Sequence, residues 1–437
     1  MIENINKLIP PIGDFEKIMH LSVLADRLGS VSHSKTNPLD IYNDLRNSLF
    51  AKFFTRVQGT YQSPSWSNSP LSQSSTENQS RIEETYLRYD FNPIDLEEQF
   101  NSGHCALDGI EPVTLFFHSG MSAINTILVY LRKALNSHGA CIGTNIYFEA
   151  NRLIRQFFRV QALPEDKFRI APDVHLIWID YPLSDEPNYF PDLRAIISEM
   201  IDNSTRRYDQ EYYIVIDYTL AGFAFDIRKY IRDLPYNLHI FLVSSLQKHM
   251  TYGLDTATGG ALTVYSRTNE IILAIRRLRS YCGAILSERS AFLLPPIEPA
   301  LVKEIIIDAG KNACDLAKAV TSFGSPRLKI HYQFDTPMGY RSSLVFIELP
   351  EAVTTQRSNR TSLDQLLDQI LIAAKKRDVP LVHGASFGFP MTRICKFDGG
   401  VNSDLRSLRF GVGYDEDLAN SVIPAINDGI QAFLATT

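Results

Sequence analysis

Three runs, "VHLIWIDYP", "YYIVIDYTLAG" and "HIFLVSS", constrain the fold of this chain more than any other feature. Each opens on a continuous apolar, β-rich stretch without the polar alternation of a half-exposed strand, so a strand built from it must be covered on both faces. Helical patterns such as "FPDLRAIISEM" stand between several of the strand-like segments, which also include "ACIGTN" and "GALTVYS". Strands buried on both faces and separated by helices imply a mostly parallel sheet with helices on either side. After about residue 300 the rhythm changes. "SSLVFIEL", "TRICKF" and "SLRFGVGY" read as strands and "TSLDQLLDQILIAAKKR" and "DLANSVIPAINDGIQAFL" as helices, which predicts a smaller C-terminal α+β domain.

Ahead of the sheet, Ile41, Leu45, Leu49 and Phe53 recur at helical spacing, and "QSPSWSNSPLSQSSTENQS" is a Ser-, Pro- and Asn-rich linker. The organisation expected is an N-terminal helical extension and Ser-rich loop over 1–80, a large domain over 81–300 and a small domain over 301–437. At 437 residues there is ample apolar surface for two or three cores. The net charge of -6 argues against a broad basic footprint for nucleic acid. Five cysteines, Cys105, Cys141, Cys282, Cys314 and Cys395, are scattered with no CxxC pair, so neither a disulfide framework nor a local metal site is encoded. No run approaches the ~20 apolar residues of a membrane span, and no secretory leader is evident, so a cytoplasmic protein is expected.

Four segments fall where an open parallel sheet presents ligand-binding residues, at the carboxyl ends of strands. In "HSGMSAINT", Ser119, Gly120 and Met121 open a helix whose free amides favour an anion, although Ser119 reads equally as a structural N-cap. In "IVIDYT", Asp217 ends a buried strand and needs a cationic or hydrogen-bonding partner, unless it is a turn residue. In "SSLQKHMTYG", Lys248 follows Ser245 by three residues, and an amine beside a phosphate-binding hydroxyl can form a Schiff base with an aldehyde. Arg409, before "GVGYDE", can grip a carboxylate through two parallel hydrogen bonds or can be a plain strand charge. A phosphate at a helix start, an aldehyde on a lysine, a ring nitrogen on a carboxylate and a substrate carboxylate on an arginine are the needs of pyridoxal phosphate.

The segments resemble, in order, those of the fold-type I pyridoxal phosphate enzymes, and more narrowly the cysteine/methionine metabolism family of cystathionine lyases and synthases and methionine γ-lyase. "TYLRYDFNP" is similar to the family's Tyr-x-Arg-Tyr-x-Asn-Pro with one extra residue, and the resemblance implies that Tyr86 and Arg88 reach the cofactor phosphate of a neighbouring subunit. "SGMSAI" resembles the phosphate-binding segment. "NIYFEA" implies that Tyr147 stacks on the cofactor ring. "IDYTLA" implies Asp217 as partner of the ring nitrogen with Thr219 beside it. "SSLQKHMTYGLDTATGGAL" implies Lys248 as the Schiff-base lysine, with Ser245 on the phosphate and Gly259 and Gly260 as the later paired glycines. "ASFGFP" and "LRFGVGYDEDL" imply Ser386 and Arg409 as the substrate-carboxylate residues, with Arg393 as a rival.

The resemblance covers residue 81 to the C-terminus and implies an α/β, mostly parallel, seven-stranded sheet of the aspartate aminotransferase kind. It further implies pyridoxal 5'-phosphate as cofactor, an amino acid as substrate, β/γ-elimination or replacement with Lys248, Tyr86 and Tyr147 in catalysis, and a homodimer or homotetramer with shared sites. No nucleic-acid, membrane or metal partner is expected. Two departures bear on the reaction. Gln247 stands where the family has a threonine, and "DYPLSDEP" lacks the usual asparagine, for which Ser184 or Asp185 is the substitute expected. A decarboxylase or aminotransferase is therefore the alternative, and a non-catalytic binding protein on the same fold the remaining one.

Overall fold

The computed structural model describes residues 93–135, 139–143, 146–162, 170–171, 173–182, 192–253, 255, 257–294, 297–322, 327–332, 341–349, 359–398 and 406–436. The expected helix around Ile41, Leu45, Leu49 and Phe53 and the Ser-rich stretch after it lie outside these residues. Two sheets organise the chain. The larger comprises β1 (Val113–Phe117), β2 (Gly139–Ile142), β3 (Val160–Ala162), β4 (Val174–Asp180), β5 (Tyr212–Asp217), β6 (Leu238–Ser245) and β7 (Gly260–Tyr265). Their order is β1-β7-β6-β5-β4-β2-β3, and only β7 opposes the rest. The mostly parallel seven-stranded sheet expected from the resemblance is thus observed.

The three apolar runs form the adjacent strands β4, β5 and β6, and from Leu176 onward their core side chains divide by parity. Ile177, Ile179, Ile214, Ile216, Ile240 and Leu242 enter one core with Ile196, Ile197 and Met200 of α4 (Leu193–Arg206). Trp178, Tyr213, Val215, Phe241 and Val243 enter the other with Ile124, Ile127, Leu128 and Leu131 of α2 (Gly120–Leu135) and Ile271 and Ile275 of α5 (Asn269–Tyr281). Helices begin where their caps dictate. Asp192 accepts from the Ala195 amide at the start of α4, and Thr268 caps α5.

A buried clamp fixes the first described helix, α1 (Ile94–Asn101), to this sheet. Arg279 Nη1 of α5 donates to Glu97 Oε1 (2.5 Å) and to the Phe116 carbonyl (2.8 Å), while the Phe116 amide donates to the same Glu97 oxygen (2.7 Å). Both side chains are essentially inaccessible, so the charges are tolerable only because each neutralises the other.

Between α2 and α4 lies α3 (Phe148–Phe157), and beyond α5 come the short α6 (Glu288–Leu293) and the long α7 (Pro299–Thr321). Pro299 at the first turn suits α7, since its missing amide is unneeded there. The N-terminal half of α7 packs on the large sheet through Val302, Ile305 and Ile306, and its C-terminal half enters a separate core through Ala313, Leu316, Ala317 and Val320. The second sheet, order β10-β11-β12-β9-β8, is built from β8 (Lys329–His331), β9 (Leu344–Glu348), β10 (Val382–His383), β11 (Arg393–Asp398) and β12 (Arg406–Gly411). Ile394, Leu408, Phe410, Val345 and Ile347 turn toward α8 (Asn359–Lys376) and α9 (Glu416–Thr436). The opposite face of β11, β12 and β9 is turned to the large sheet, where Phe346 and Leu344 meet Leu220.

Candidate active site

The parallel strands of the large sheet all end at one edge, where β7 begins. Phe117 and Ser245 both pair with Gly260, and Asp180 pairs with Asp217. A Cβ on Gly260 would stand 2.4 Å from the Ser119 carbonyl oxygen and 2.5 Å from the Gly120 nitrogen, so only glycine lets β7 run against this turn. Ser119 caps α2 by accepting from the Ser122 amide (3.1 Å), and the first-turn amides of Gly120 and Met121 have no intrahelical acceptor. The Met121 side chain packs into the core, which leaves only its backbone for an anion. Thr219 Oγ1 accepts from the Ser245 amide (3.0 Å), and a Cβ on Gly120 would lie 3.4 Å from Ser245 Cβ, so Ser119, Gly120, Thr219 and Ser245 form one polar cluster.

Beside it lies Asp217, which accepts from the Thr219 amide (3.0 Å). Burial pushes its carboxyl above the ordinary carboxylate range despite the bonds from Thr219, and no cation among the described residues offsets this. Tyr147 precedes α3. Its amide donates to Asp180 Oδ2 (2.7 Å) and its hydroxyl to Glu149 Oε2 (2.9 Å). Burial first, and then Glu149, drive the phenol well above its usual range; the fields of Asp217 and Arg409 also reach it.

Lys248 follows β6 on a turn. Its Nζ donates to Ser386 Oγ (2.7 Å) and lies 5.4 Å from the Phe387 ring centre. Burial, with the positive charge of Arg409 next in weight, lowers its pKa to about 8, so the free amine is accessible near neutrality. The 385–390 loop approaches this turn backbone to backbone. Gly388 has φ +85°, and a Cβ on it would stand 2.8 Å from the Lys248 carbonyl carbon and 2.9 Å from the His249 nitrogen. Arg409 donates through Nη2 to the Ala385 carbonyl, and Arg393 lies over Phe389 at 3.4 Å from the ring centre.

No family model matches the chain. The bifunctional enzyme flvA of Aspergillus flavus is 24% identical over 334 residues, 74% of this chain and 39% of that protein, so the chain spans about two fifths of the length of this curated relative. Among solved structures, cystathionine gamma synthase from Xanthomonas oryzae, in complex with cystathionine, matches with a TM-score of 0.58 at 16% identity over 83% of this chain and 91% of that one. Methionine gamma lyase CalE6 from Micromonospora echinospora matches at 0.54 and 18%, covering 77% and 86% of the two chains. A putative O-acetylhomoserine (thiol)-lyase from Campylobacter jejuni, solved with N'-pyridoxyl-lysine-5'-monophosphate, matches at 0.55 and 16%, covering 82% and 94%. The fold is that of the type I pyridoxal phosphate enzymes.

On this type I scaffold, Ser119, Gly120, Tyr147, Asp217, Thr219, Ser245, Lys248, Ser386, Arg393 and Arg409 gather between the two sheets. Tyr86, Arg88, Ser184 and Asp185 lie outside the described residues. Gln247, at the family's threonine position, turns away to donate to Asp255 Oδ1 (2.8 Å). Three residues of the site went unnoticed in the sequence. Asp180 orders Tyr147, and "WIDYP" carried the same signal as "VIDYT", an aspartate closing an apolar run. Phe387 bounds Lys248 but had no pattern to mark it. His249 is buried with neither ring nitrogen hydrogen-bonded, and burial, then Lys248, hold its pKa at about 3.

Proposed function

We propose that this chain is a pyridoxal phosphate-dependent enzyme that eliminates or replaces a β or γ substituent of an amino acid. The observation that carries the reading is Lys248, a half-buried amine with a pKa near 8, held on Ser386 at the edge where Asp217 lacks a cation. The residues suit the cofactor. Asp217 fits a protonated ring nitrogen, which would supply the missing positive charge. Ser119, Gly120, Thr219 and Ser245 cluster at the start of α2, where a phosphate is favoured by amides and helix dipole alike. Gln247 adds no hydroxyl there, so the backbone carries more of that duty than in the family pattern.

When bound, pyridoxal phosphate accepts the electron pair released at the substrate Cα. Arg409 binds the α-carboxylate as a planar fork and Ser386 supports it. Lys248 Nζ, neutral above about pH 8, takes up or returns a proton at Cα. The Tyr147 ring would help hold the cofactor, and its hydroxyl stays protonated because burial first, and then the Glu149 carboxylate that accepts from it, raise the phenol above its usual range. Phe387, whose ring centre lies 5.4 Å from Lys248 Nζ, limits the access of water to the amine. By the same reading, residues 81–300 form the cofactor domain and 301–437 the domain that closes on substrate. Tyr86 and Arg88 serve a neighbouring subunit, so the working unit is at least a dimer, and a fully active monomer in light scattering would exclude that.

The test is spectroscopic and chemical. Protein reconstituted with pyridoxal phosphate is expected to show a visible absorbance band that Lys248→Ala abolishes. A panel of amino acids then identifies the reaction by product. A keto acid plus ammonia, or an exchanged side chain, supports the proposal; carbon dioxide alone, or an amine moved to an added keto acid, replaces it with decarboxylation or transamination.

A further inference from the structure

The turn that carries Lys248 holds a residue in a costly conformation. After a short 3₁₀ helix, His249–Thr251, Tyr252 adopts φ +52° and ψ +27° in the left-handed region, and Gly253 follows at φ +71°. Glycine enters that region freely, whereas a bulky side chain there is an outlier that persists only where its surroundings fix it. Tyr252 is fixed at three points. Its amide donates to the His249 carbonyl (2.9 Å), which closes the turn on itself. Its carbonyl accepts from the Tyr414 hydroxyl (2.9 Å), in the segment between β12 and α9. Its own hydroxyl accepts from the amide of Glu298 (2.9 Å), the residue immediately before α7. The side chain is buried in the large-sheet core that also holds Met250, Val302 and Ile306. Glycine would suit the backbone better, but only tyrosine offers both the ring that fills this core and the hydroxyl that α7 engages.

The Tyr414 segment is itself held to the loop that meets the lysine turn. The Tyr414 amide donates to the Phe389 carbonyl and the Asp415 amide to the Pro390 carbonyl (3.2 Å each), and Asn312 Nδ2 of α7 donates to the Gly413 carbonyl (3.0 Å). A Cβ on Gly253 would stand 2.7 Å from Phe389 Cα. The Lys248 turn is thus seated between α7 and the segments that flank β11 and β12, and Tyr252 bonds to both sides. Building on the function proposed above, we propose that Tyr252 is a positioning residue for Lys248. Tied to α7 through its hydroxyl and to Tyr414 through its carbonyl, it fixes the direction in which the turn presents the amine. Its action is indirect, through the backbone of residues 248–252.

The test uses Tyr252→Phe, which deletes the bond from Glu298 and keeps the ring, and Tyr414→Phe, which deletes the bond to the Tyr252 carbonyl from outside the turn. In the cofactor-free protein, reductive methylation of Lys248 by formaldehyde and cyanoborohydride, read by peptide mass spectrometry, gives the pH at which the amine becomes free. In the reconstituted enzyme, turnover is measured on an amino acid that the product panel identifies. Each variant is expected to keep the visible band and a KM within about twofold, yet to lose about 10- to 100-fold in kcat, the effect of a misplacement of about 1 Å. The methylation midpoint is expected to rise from its value near 8, because a displaced turn returns the amine to water. In the double variant the losses fall short of the product of the single ones, since both act on one turn. An unchanged kcat and an unchanged midpoint in both variants, with only the melting temperature lowered, make Tyr252 a structural joint and overturn the assignment. Should Tyr252→Phe not fold, Tyr414→Phe decides by the same two readings. A visible band that survives Lys248→Ala overturns the function proposed above and this inference with it, whereas unchanged readings in an enzyme whose band depends on Lys248 overturn this inference alone.

Discussion

Two carboxylates, Glu97 of α1 and Asp217 of β5, are removed from water in opposite ways. Glu97 meets the Arg279 guanidinium and the Phe116 amide, so its charge is fully answered inside the protein. Among the described residues Asp217 receives bonds from Thr219 with no cation beside it, and burial raises its pKa in spite of those bonds. The first arrangement holds three elements together; the second leaves a charge that only a ligand can answer. A buried ion pair already complete marks a structural joint, whereas one with a missing half marks a binding site.

Removing the chemistry on the ligand side is expected to have the largest effect. Lys248→Ala should lower turnover by ~10³-fold or more, since proton transfer by a positioned group is worth up to about 10⁴-fold, as steady-state assays of reconstituted protein will reveal. Asp217→Asn should cost turnover heavily too, yet leave the melting temperature of the cofactor-free protein unchanged or higher, because it deletes an unanswered buried charge. On the structural side, Arg279→Met should cost about 3–5 kcal/mol in denaturant unfolding by stranding Glu97, while activity per folded molecule is retained. If Asp217→Asn destabilises the cofactor-free protein as much as Arg279→Met does, Asp217 is a structural joint like Glu97 and not half of a binding site.

Smaller effects sharpen the comparison. Gly260→Ala should cost roughly 1–3 kcal/mol by overpacking, and weaken pyridoxal phosphate binding in fluorescence titration because the added carbon displaces the Ser119–Gly120 turn. The amine also sets a pH dependence. Borohydride trapping of pyridoxal phosphate on Lys248 should reach half its maximal rate near pH 8, where an ordinary lysine needs about pH 10.5. Because the folded pKa is the lower one, the unfolded chain holds more protons between those values, so the cofactor-free protein gains stability as pH rises from about 8 to 10.5. Lys248→Ala should flatten that rise in a melting series.

Much of the scaffold was legible because the large sheet declares itself locally. The runs that became β4, β5 and β6 are apolar at every parity, a pattern that a sheet covered on one side does not need. The smaller sheet was legible through the strands that became β9, β11 and β12. Lys248, Asp217 and Ser119 were legible as strand-end residues in a set order. The role of Asp180 was not, since its bond to the Tyr147 amide joins segments far apart in the chain. Nor could spacing decide between Arg393 and Arg409: "TRICKF" and "SLRF" reveal only alternation, and the antiparallel register that puts both arginines on one face is a property of the paired strands.

What the sequence determined by itself was therefore the class of fold and the types of residue offered at the strand ends, because hydrophobic period and turn chemistry act over a few neighbours. Which side chains meet was decided by the tertiary structure alone. The Lys248–Ser386 bond, the close approach of Gly388 and the shared face of Arg393 and Arg409 each join segments that lie far apart along the chain or on separate strands, and they come into being only when the two sheets pack face to edge around α7.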